Sequence, residues 1–146
     1  MISGMSLTPL KQINNEKGDI FHVLKSSELS FTGFGEAYFS TVICNEIKGW
    51  KKHTKMKMNL VVPVGEIRFV FFDDRRKSKT LDSYYSINLS PENYYRITIP
   101  ENIWMAFQGI SKGTNLLLNI ANIEHDPGEA INASLQENDY DWSDHE

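Results

Sequence analysis

Two short apolar runs, Asn59–Val64 (NLVVPV) and Glu66–Phe72 (EIRFVFF), stand on either side of a single glycine, Gly65. Runs of this length, rich in branched and aromatic residues and divided by a turn residue, are typical of β-strands. The pair is interpreted as a hairpin. Further runs of the same kind occur at Ile20–Leu24, Gly35–Val42, Tyr84–Leu89, Tyr95–Ile99, Trp104–Ile110 and Asn115–Ile123.

Polar turn segments divide these runs, as at Ser90–Asn93 and Lys112–Thr114, and helical periodicity is scarce. Many short strands with polar turns predict a β-sandwich or barrel, and 146 residues are enough for one such domain. No apolar run is long enough for a membrane helix, and the first ten residues do not resemble an export signal. The single cysteine, Cys44, cannot form an internal disulfide. We therefore expect a cytoplasmic protein without a membrane partner.

The formal charge of −4 is unevenly distributed. Glu137–Glu146 contains five acidic residues and no basic one, which leaves 15 basic and 14 acidic residues elsewhere. The stretch from about Pro127 is interpreted as an acidic, polar arm with Trp142 as its only large anchor. The basic residues form two groups: Lys48, Lys51, Lys52, Lys55 and Lys57, then Arg75, Arg76, Lys77 and Lys79. They indicate either solvated strand ends and loops or an anion site, and no nucleic-acid-binding motif accompanies them.

Five segments between Thr8 and Pro127 follow one another in a characteristic order. They are Thr8–Phe21, Glu46–His53 (EIKGWKKH), Asp73–Thr80 with a D-x-R-x-x-S-x-T pattern, Leu89–Asn93 (LSPEN) and Ile99–Phe107 (IPENIWMAF). Their order and spacing resemble the dTDP-4-dehydrorhamnose 3,5-epimerase family, and more closely its short relatives in surface-polysaccharide pathways. The resemblance implies an all-β, cupin-type double-stranded β-helix, or jelly roll, with antiparallel sheets and little helix.

The resemblance also implies a homodimer. The N-terminal half carries apolar aromatic residues suited to extending a sheet across a twofold axis, namely Phe21, Phe31, Phe34, Tyr38 and Phe39. For function, the resemblance implies an isomerase that epimerises a nucleotide-linked 4-keto-6-deoxy sugar. The alternatives are a 3,4-ketoisomerase of the same fold and a non-catalytic cupin that binds a carbohydrate or a nucleotide.

The sequence departs from the family at the catalytic positions. Lys51 stands where the family has its base histidine, and Met105 replaces the histidine of the H-G-F block. The stretch Asn122–Pro127, where the family has a catalytic tyrosine, contains none. The family's aspartate that orients the base comes from a later segment, and this shorter chain lacks that segment.

Lys51 and His53 are two residues apart, so on a strand their side chains share one face. A histidine can remove a proton near neutral pH, and a lysine can act as a base or stabilise an enolate as a cation. We interpret this pair as catalytic. His125 lies nearest to the family's tyrosine position and is the first candidate for the proton donor, followed by Tyr38 and Glu124.

The remaining candidates would bind the substrate. Four basic residues are predicted contacts for a diphosphate: Lys48, Lys57, Arg68 and Arg75. Three aromatic residues could stack on a base or a sugar: Tyr38, Trp50 and Trp104. Strand-edge charge and core packing are the alternative explanations for these residues. The four histidines are His22, His53, His125 and His145, and none are paired at ligand spacing, so the pattern predicts neither a metal nor another cofactor.

Overall fold

A computed structural model describes residues 1–143, and Asp144–Glu146, the end of the predicted acidic arm with His145, lie outside the described residues. The strands are β1 (Ser6–Pro9), β2 (Gln12–Ile13), β3 (Ile20–Phe21), β4 (Glu36–Thr41), β5 (Ile47–His53), β6 (Met58–Val64), β7 (Ile67–Phe72), β8 (Tyr84–Leu89), β9 (Tyr95–Ile99), β10 (Trp104–Gly109), β11 (Leu116–Ala121) and β12 (Ala130–Asn132). Within residues 1–143, one 3-10 turn, Pro127–Glu129, is the sole helical segment. The prediction of an all-β chain with little helix is confirmed.

The strands form two five-stranded antiparallel sheets and a small ribbon of β2 and β3. The first sheet has the order β1-β9-β6-β11-β4, and the second has the order β12-β5-β10-β7-β8. Large side chains from both sheets fill the space between them, including Leu60, Phe69, Phe71 and Ile97, all at most 1% exposed. This is the predicted cupin-type jelly roll.

The predicted hairpin between the runs on either side of Gly65 is wrong. β6 pairs with β9 and β11 in the first sheet, whereas β7 pairs with β8 and β10 in the second. Gly65 has a φ of +79°, and an added Cβ atom would collide with the carbonyl oxygen of Thr114. The tight turn therefore passes the chain from one sheet to the other instead of folding it back on itself.

The D-x-R-x-x-S-x-T pattern builds a closed hydrogen-bond network around Asp73, whose side chain is fully buried. Its carboxylate accepts hydrogen bonds from the Arg75 guanidinium (Nε, 2.8 Å; Nη2, 2.9 Å), the Ser78 hydroxyl (2.5 Å) and the Thr80 hydroxyl (2.6 Å). Arg75 Nη2 also donates to the carbonyl oxygen of Ser3 at 2.6 Å. The motif thereby fixes the loop after β7 to the N-terminal segment.

The C-terminal arm covers the outer face of the second sheet. The Trp142 ring lies 6.1 Å from the ring of Trp50, and the Tyr140 ring lies 5.4 Å from that of Tyr84. The Arg68 guanidinium lies 5.5 Å from the Tyr140 ring centroid and donates to its hydroxyl at 2.8 Å. Trp142 is therefore one of several anchors, and the described part of the arm also supplies β12 at the sheet edge.

The edge of the first sheet that is formed by β4 exposes aromatic side chains. β4 is the last strand of that sheet, and Phe39 on this strand is 65% exposed, as is the nearby Phe34. Phe21 instead packs on Tyr94, with ring centroids 5.3 Å apart. Among residues 1–143, no helix has the length and apolar character needed to cross a membrane.

Candidate functional site

A cavity of about 310 Å³ opens between the two sheets. The first sheet contributes Tyr38 and Ser40 from β4 and Met58 from β6. The second sheet contributes the larger wall, with residues from β5, β10 and the end of β12: Lys48, Gly49, Trp50, Lys51, His53, Met105, Phe107, Asn132 and Ala133. The cavity therefore combines an apolar lining with two lysines and one histidine. Five of the predicted residues line it, namely Tyr38, Lys48, Trp50, Lys51 and His53, although the Trp50 ring packs against Trp142 of the arm.

His53 makes a direct hydrogen bond to a buried acid, Glu129. Its Nδ1 atom lies against Glu129 Oε1, and the two side chains are 10% and 1% exposed. An ionised carboxylate can only accept, so His53 Nδ1 carries the proton of this bond. Whenever the imidazole is neutral, its lone pair is then on Nε2. A carboxylate therefore holds His53 in place, although the segment that carries the family's orienting aspartate is lacking.

The local structure before β12 sets the position of Glu129. The Asp126 carboxylate accepts from the Gly128 amide at 3.0 Å, and Pro127 begins the 3-10 turn. Burial alone would raise the pKa of Glu129, but hydrogen bonds from His53 and from the amides of Lys55 (3.0 Å) and Met56 (3.2 Å) outweigh it and hold that pKa below its ordinary value. Glu129 is therefore a carboxylate at neutral pH.

Two lysines place positive charge at the cavity. Lys48 Nζ donates to the Thr41 carbonyl oxygen at 2.6 Å and to Ser40 Oγ at 3.4 Å, so it links the two sheets beside the cavity. The Lys51 side chain makes no hydrogen bond or ion pair with any residue that the structure describes. Its Cα atom pairs with that of Asn132 on β12, so both side chains project toward the cavity. An anionic ligand or a developing enolate would meet a free ammonium group here.

Two of the other predicted residues lie on the outer face of the second sheet. Trp104 donates from Nε1 to Asp74 at 2.9 Å and lies under the Lys52 ammonium, 4.8 Å from the ring centroid. Arg68 is held by the arm, and its Nε atom donates to Ser86 at 3.3 Å. Their side chains serve packing and the attachment of the arm, outside the cavity.

Three further predicted residues, and the donor candidate Glu124, are also outside the cavity lining. Arg75 belongs to the Asp73 network. Lys57 lines a separate groove with Ser30 and Thr98. His125 is exposed in the loop before the 3-10 turn. Within residues 1–143, no three His, Cys, Asp or Glu side chains are grouped so as to hold a metal ion, and the absence of a metal stays a prediction.

Sequence reasoning missed Glu129 because it assigned the acid to a polar arm. The only local signal is the D-P-G-E turn, which places an acid directly before a short strand. The three residues of β12 do not indicate which strand they pair with. Pairing with β5, with Ala130 opposite His53, brings Glu129 to His53.

The whole chain matches a known family. The model of the dTDP-4-dehydrorhamnose 3,5-epimerase family matches residues 1–145. The spore coat polysaccharide biosynthesis protein SpsL of Bacillus subtilis (strain 168) is 22% identical over 132 residues, covering 88% of this chain and 85% of its own.

Solved structures agree with this match. A dTDP sugar isomerase from Desulfovibrio desulfuricans G20 superimposes with a TM-score of 0.93 and 34% identity, over 97% of this chain and 92% of the other. An epimerase from Legionella pneumophila Philadelphia 1, solved in complex with dTDP-4-keto-L-rhamnose, has a TM-score of 0.77 and 18% identity over 90% and 78% of the two chains. The second likeness concerns the fold alone. The family match over the full length and the 34% identity to the isomerase together show that the chain belongs to the dTDP-4-dehydrorhamnose 3,5-epimerase family.

Proposed function

We propose that the protein is a nucleotide-sugar isomerase that epimerises a nucleotide-linked 4-keto-6-deoxy sugar in surface-polysaccharide biosynthesis. The observation that carries this proposal is the His53–Glu129 pair beside a cavity that also holds two lysines. A ketone makes the proton on the neighbouring carbon removable, and an oriented neutral imidazole is suited to removing it. The relative SpsL is named for polysaccharide biosynthesis, which supports the proposed pathway.

In the proposed reaction, His53 Nε2 takes the proton from the carbon beside the ketone. The electrons of that C–H bond form the carbon–carbon double bond of an enolate, and the ketone oxygen becomes anionic. Glu129 stabilises the resulting imidazolium and keeps the ring in place. Lys51, whose side chain has no partner among the described residues, stabilises the enolate oxygen or the substrate phosphates by its charge.

We propose a nucleotide sugar as the substrate. Relatives of this fold have been solved with such ligands, dTDP-4-keto-L-rhamnose in the Legionella enzyme and dTDP-quinovose in the 3'-monoepimerase ChmJ of Streptomyces bikiniensis. Lys48 and Lys51 supply the positive charge that a diphosphate requires, and Tyr38 and Phe107 supply aromatic surface. We also propose that the protein acts as a homodimer in the cytoplasm and that it needs no metal or other cofactor.

The test is solvent exchange in D₂O, followed by NMR on a panel of 4-keto-6-deoxy sugar nucleotides. We expect the proton beside the ketone to be replaced by deuterium and a new epimer to appear. Movement of the ketone to a neighbouring carbon would instead identify a 3,4-ketoisomerase. Binding of these compounds without any exchange would identify a non-catalytic cupin and overturn the proposal.

A further inference from the structure

Tyr38 lies across the cavity from His53. Tyr38 is on β4 of the first sheet and His53 is on β5 of the second, and both side chains line the same space between the sheets. Lys51 shares the strand and the strand face of His53, so it approaches a bound sugar from the same wall. A planar enolate lodged between the sheets would have the histidine on one face and the tyrosine on the other.

The Tyr38 hydroxyl is held in one orientation by Asn119. Asn119 is 2% exposed on the adjacent strand β11, and its Nδ2 atom donates to the Tyr38 hydroxyl oxygen at 3.0 Å. The same Nδ2 atom contacts the Met58 sulfur at 3.4 Å, and the amide oxygen, Oδ1, is buried without a hydrogen-bond partner among the described residues. Because the phenol oxygen accepts from the amide, its own proton is not used in that bond. The Tyr38 hydroxyl has no other hydrogen-bond partner in the described part of the chain, so this proton can be donated into the cavity.

We propose that Tyr38 is the second proton-transfer residue of the reaction, and that Asn119 is its positioning residue. This inference rests on the proposed function. After His53 has taken the proton from one face, the enolate carbon takes the Tyr38 proton on the opposite face as the ketone re-forms. Tyr38 becomes a phenolate and His53 an imidazolium. Solvent at the open mouth returns a proton to the tyrosine and accepts one from the histidine, so the protons balance.

This assignment explains how a chain without a tyrosine in Asn122–Pro127 can invert a carbon centre. Inversion requires a donor on the face opposite to the base. His125, the donor first expected from the sequence, is exposed and does not line the cavity. Of the groups that do line it, Tyr38 is the titratable one contributed by the first sheet.

The experiment separates proton removal from inversion. The substrate is the sugar nucleotide of the panel in which wild-type protein exchanges the proton beside the ketone. It is incubated in D₂O with four proteins: the wild type, Tyr38→Phe, His53→Ala and the control Tyr95→Phe. Tyr95 is a β9 tyrosine that packs against the core. NMR then measures two rates, deuterium entry into the original epimer and formation of the inverted epimer. Deuterium enters the original epimer when His53 exchanges the proton it has taken for a solvent deuteron and returns this deuteron to the same face of the sugar. This first rate therefore needs only His53.

For Tyr38→Phe we expect inversion to fall about a hundredfold or more, while deuterium entry into the original epimer stays within roughly threefold of wild type. In His53→Ala both deuterium entry and inversion should be lost. In Tyr95→Phe both rates should stay at the wild-type level. The inference is overturned if Tyr38→Phe inverts at the wild-type rate, or if its two rates fall by the same factor. If wild-type protein exchanges no proton in any sugar nucleotide of the panel, the proposed function itself has failed, and this inference fails with it.

Discussion

His53 and Glu129 are 76 positions apart in the chain, yet they form a direct hydrogen bond between nearly buried side chains. The contact joins β5 to the turn that begins β12. It gives the histidine a fixed ring orientation and an ionised partner, which are two requirements for a general base.

The first prediction concerns this pair. His53→Ala should reduce solvent exchange about a hundredfold or more, and Glu129→Gln should reduce it by a similar order because the imidazolium loses its counter-charge. Glu137→Gln, which removes an exposed acid of the arm, is the matched control and should leave the rate unchanged. The measurement is deuterium incorporation by NMR, with circular dichroism to verify the fold. Wild-type exchange in folded Glu129→Gln would contradict the role of Glu129.

The second prediction compares two lysines from the same basic group. Lys51→Met keeps most of the side-chain volume and removes the charge beside the cavity, so exchange should slow roughly tenfold or more. Lys57→Met removes a charge from the separate groove and should have little effect. The comparison is made by steady-state kinetics under one buffer condition. Equal losses in the two variants would indicate a general effect of net charge rather than a role for Lys51.

The third prediction concerns stability at low pH. Burial alone would raise the pKa of Asp73, but hydrogen bonds from Arg75, Ser78 and Thr80 outweigh it and hold that pKa well below its ordinary range. The carboxyl of the unfolded chain has a pKa of about 3.9. Between the two pKa values the folded state binds fewer protons than the unfolded state, so the stabilisation by the ionised Asp73 is lost as the pH falls below roughly 4. Asp73→Asn should lower the free energy of unfolding by about 3 kcal/mol at pH 7.

Urea unfolding at pH 7 and pH 3 measures this effect. The difference between wild type and Asp73→Asn should narrow at the lower pH, because the wild-type carboxylate is then losing its contribution. A constant difference at both values would show that the ionised state of Asp73 contributes nothing to stability.

The fourth prediction concerns the turn between the sheets. Gly65→Ala places a side chain at a φ of +79° and against the Thr114 carbonyl, so it should cost about 2 kcal/mol or more and lower the melting temperature by roughly 5 °C. Gly113→Ala is the control, because its added Cβ meets no atom within 4 Å. Differential scanning calorimetry checks both variants. If Gly65→Ala melted at the same temperature as the wild type and Gly113→Ala, the steric argument would be refuted.

The fifth prediction concerns assembly. We expect light scattering to give twice the chain mass of 16.8 kDa. Phe39→Asp places a charge on the exposed face of the edge strand β4 and should yield a monomer, whereas Leu81→Asp, at another exposed apolar residue, should not. A monomeric wild-type protein at micromolar concentration would contradict the proposal.

Local patterns predicted eight of the twelve strands but not β1, β2, β5 or β12, because side-chain alternation and turn residues are local properties and these four strands carry a weaker local signal. Tyr84–Leu89 and Tyr95–Ile99 match β8 and β9 residue for residue. Alternation also placed Lys51 and His53 on one face, and both line the cavity. The prediction of a hairpin at Gly65 was wrong because two adjacent apolar strands have the same sequence pattern whether they pair with each other or lie in two facing sheets.

Residues on the second sheet were harder to assign to a face. The arm covers the outer side of β7, so both faces of that strand are buried, and alternation does not distinguish the cavity side from the outer side. Arg68 therefore looked as suitable for a ligand as Lys48. Glu129 escaped detection because its role depends on the pairing of β12 with β5, which is a contact between distant parts of the chain.

The position of Glu129 also has a consequence for biosynthesis. The two sheets draw their other nine strands from residues 6–121, whereas the acid and β12 come from residues 129–132. During translation residues 129–132 leave the ribosome after all nine of those strands. The core can therefore assemble before His53 has its counter-charge, and under the proposed mechanism proton removal reaches its full rate only after Glu129 has been synthesised and β12 has paired with β5.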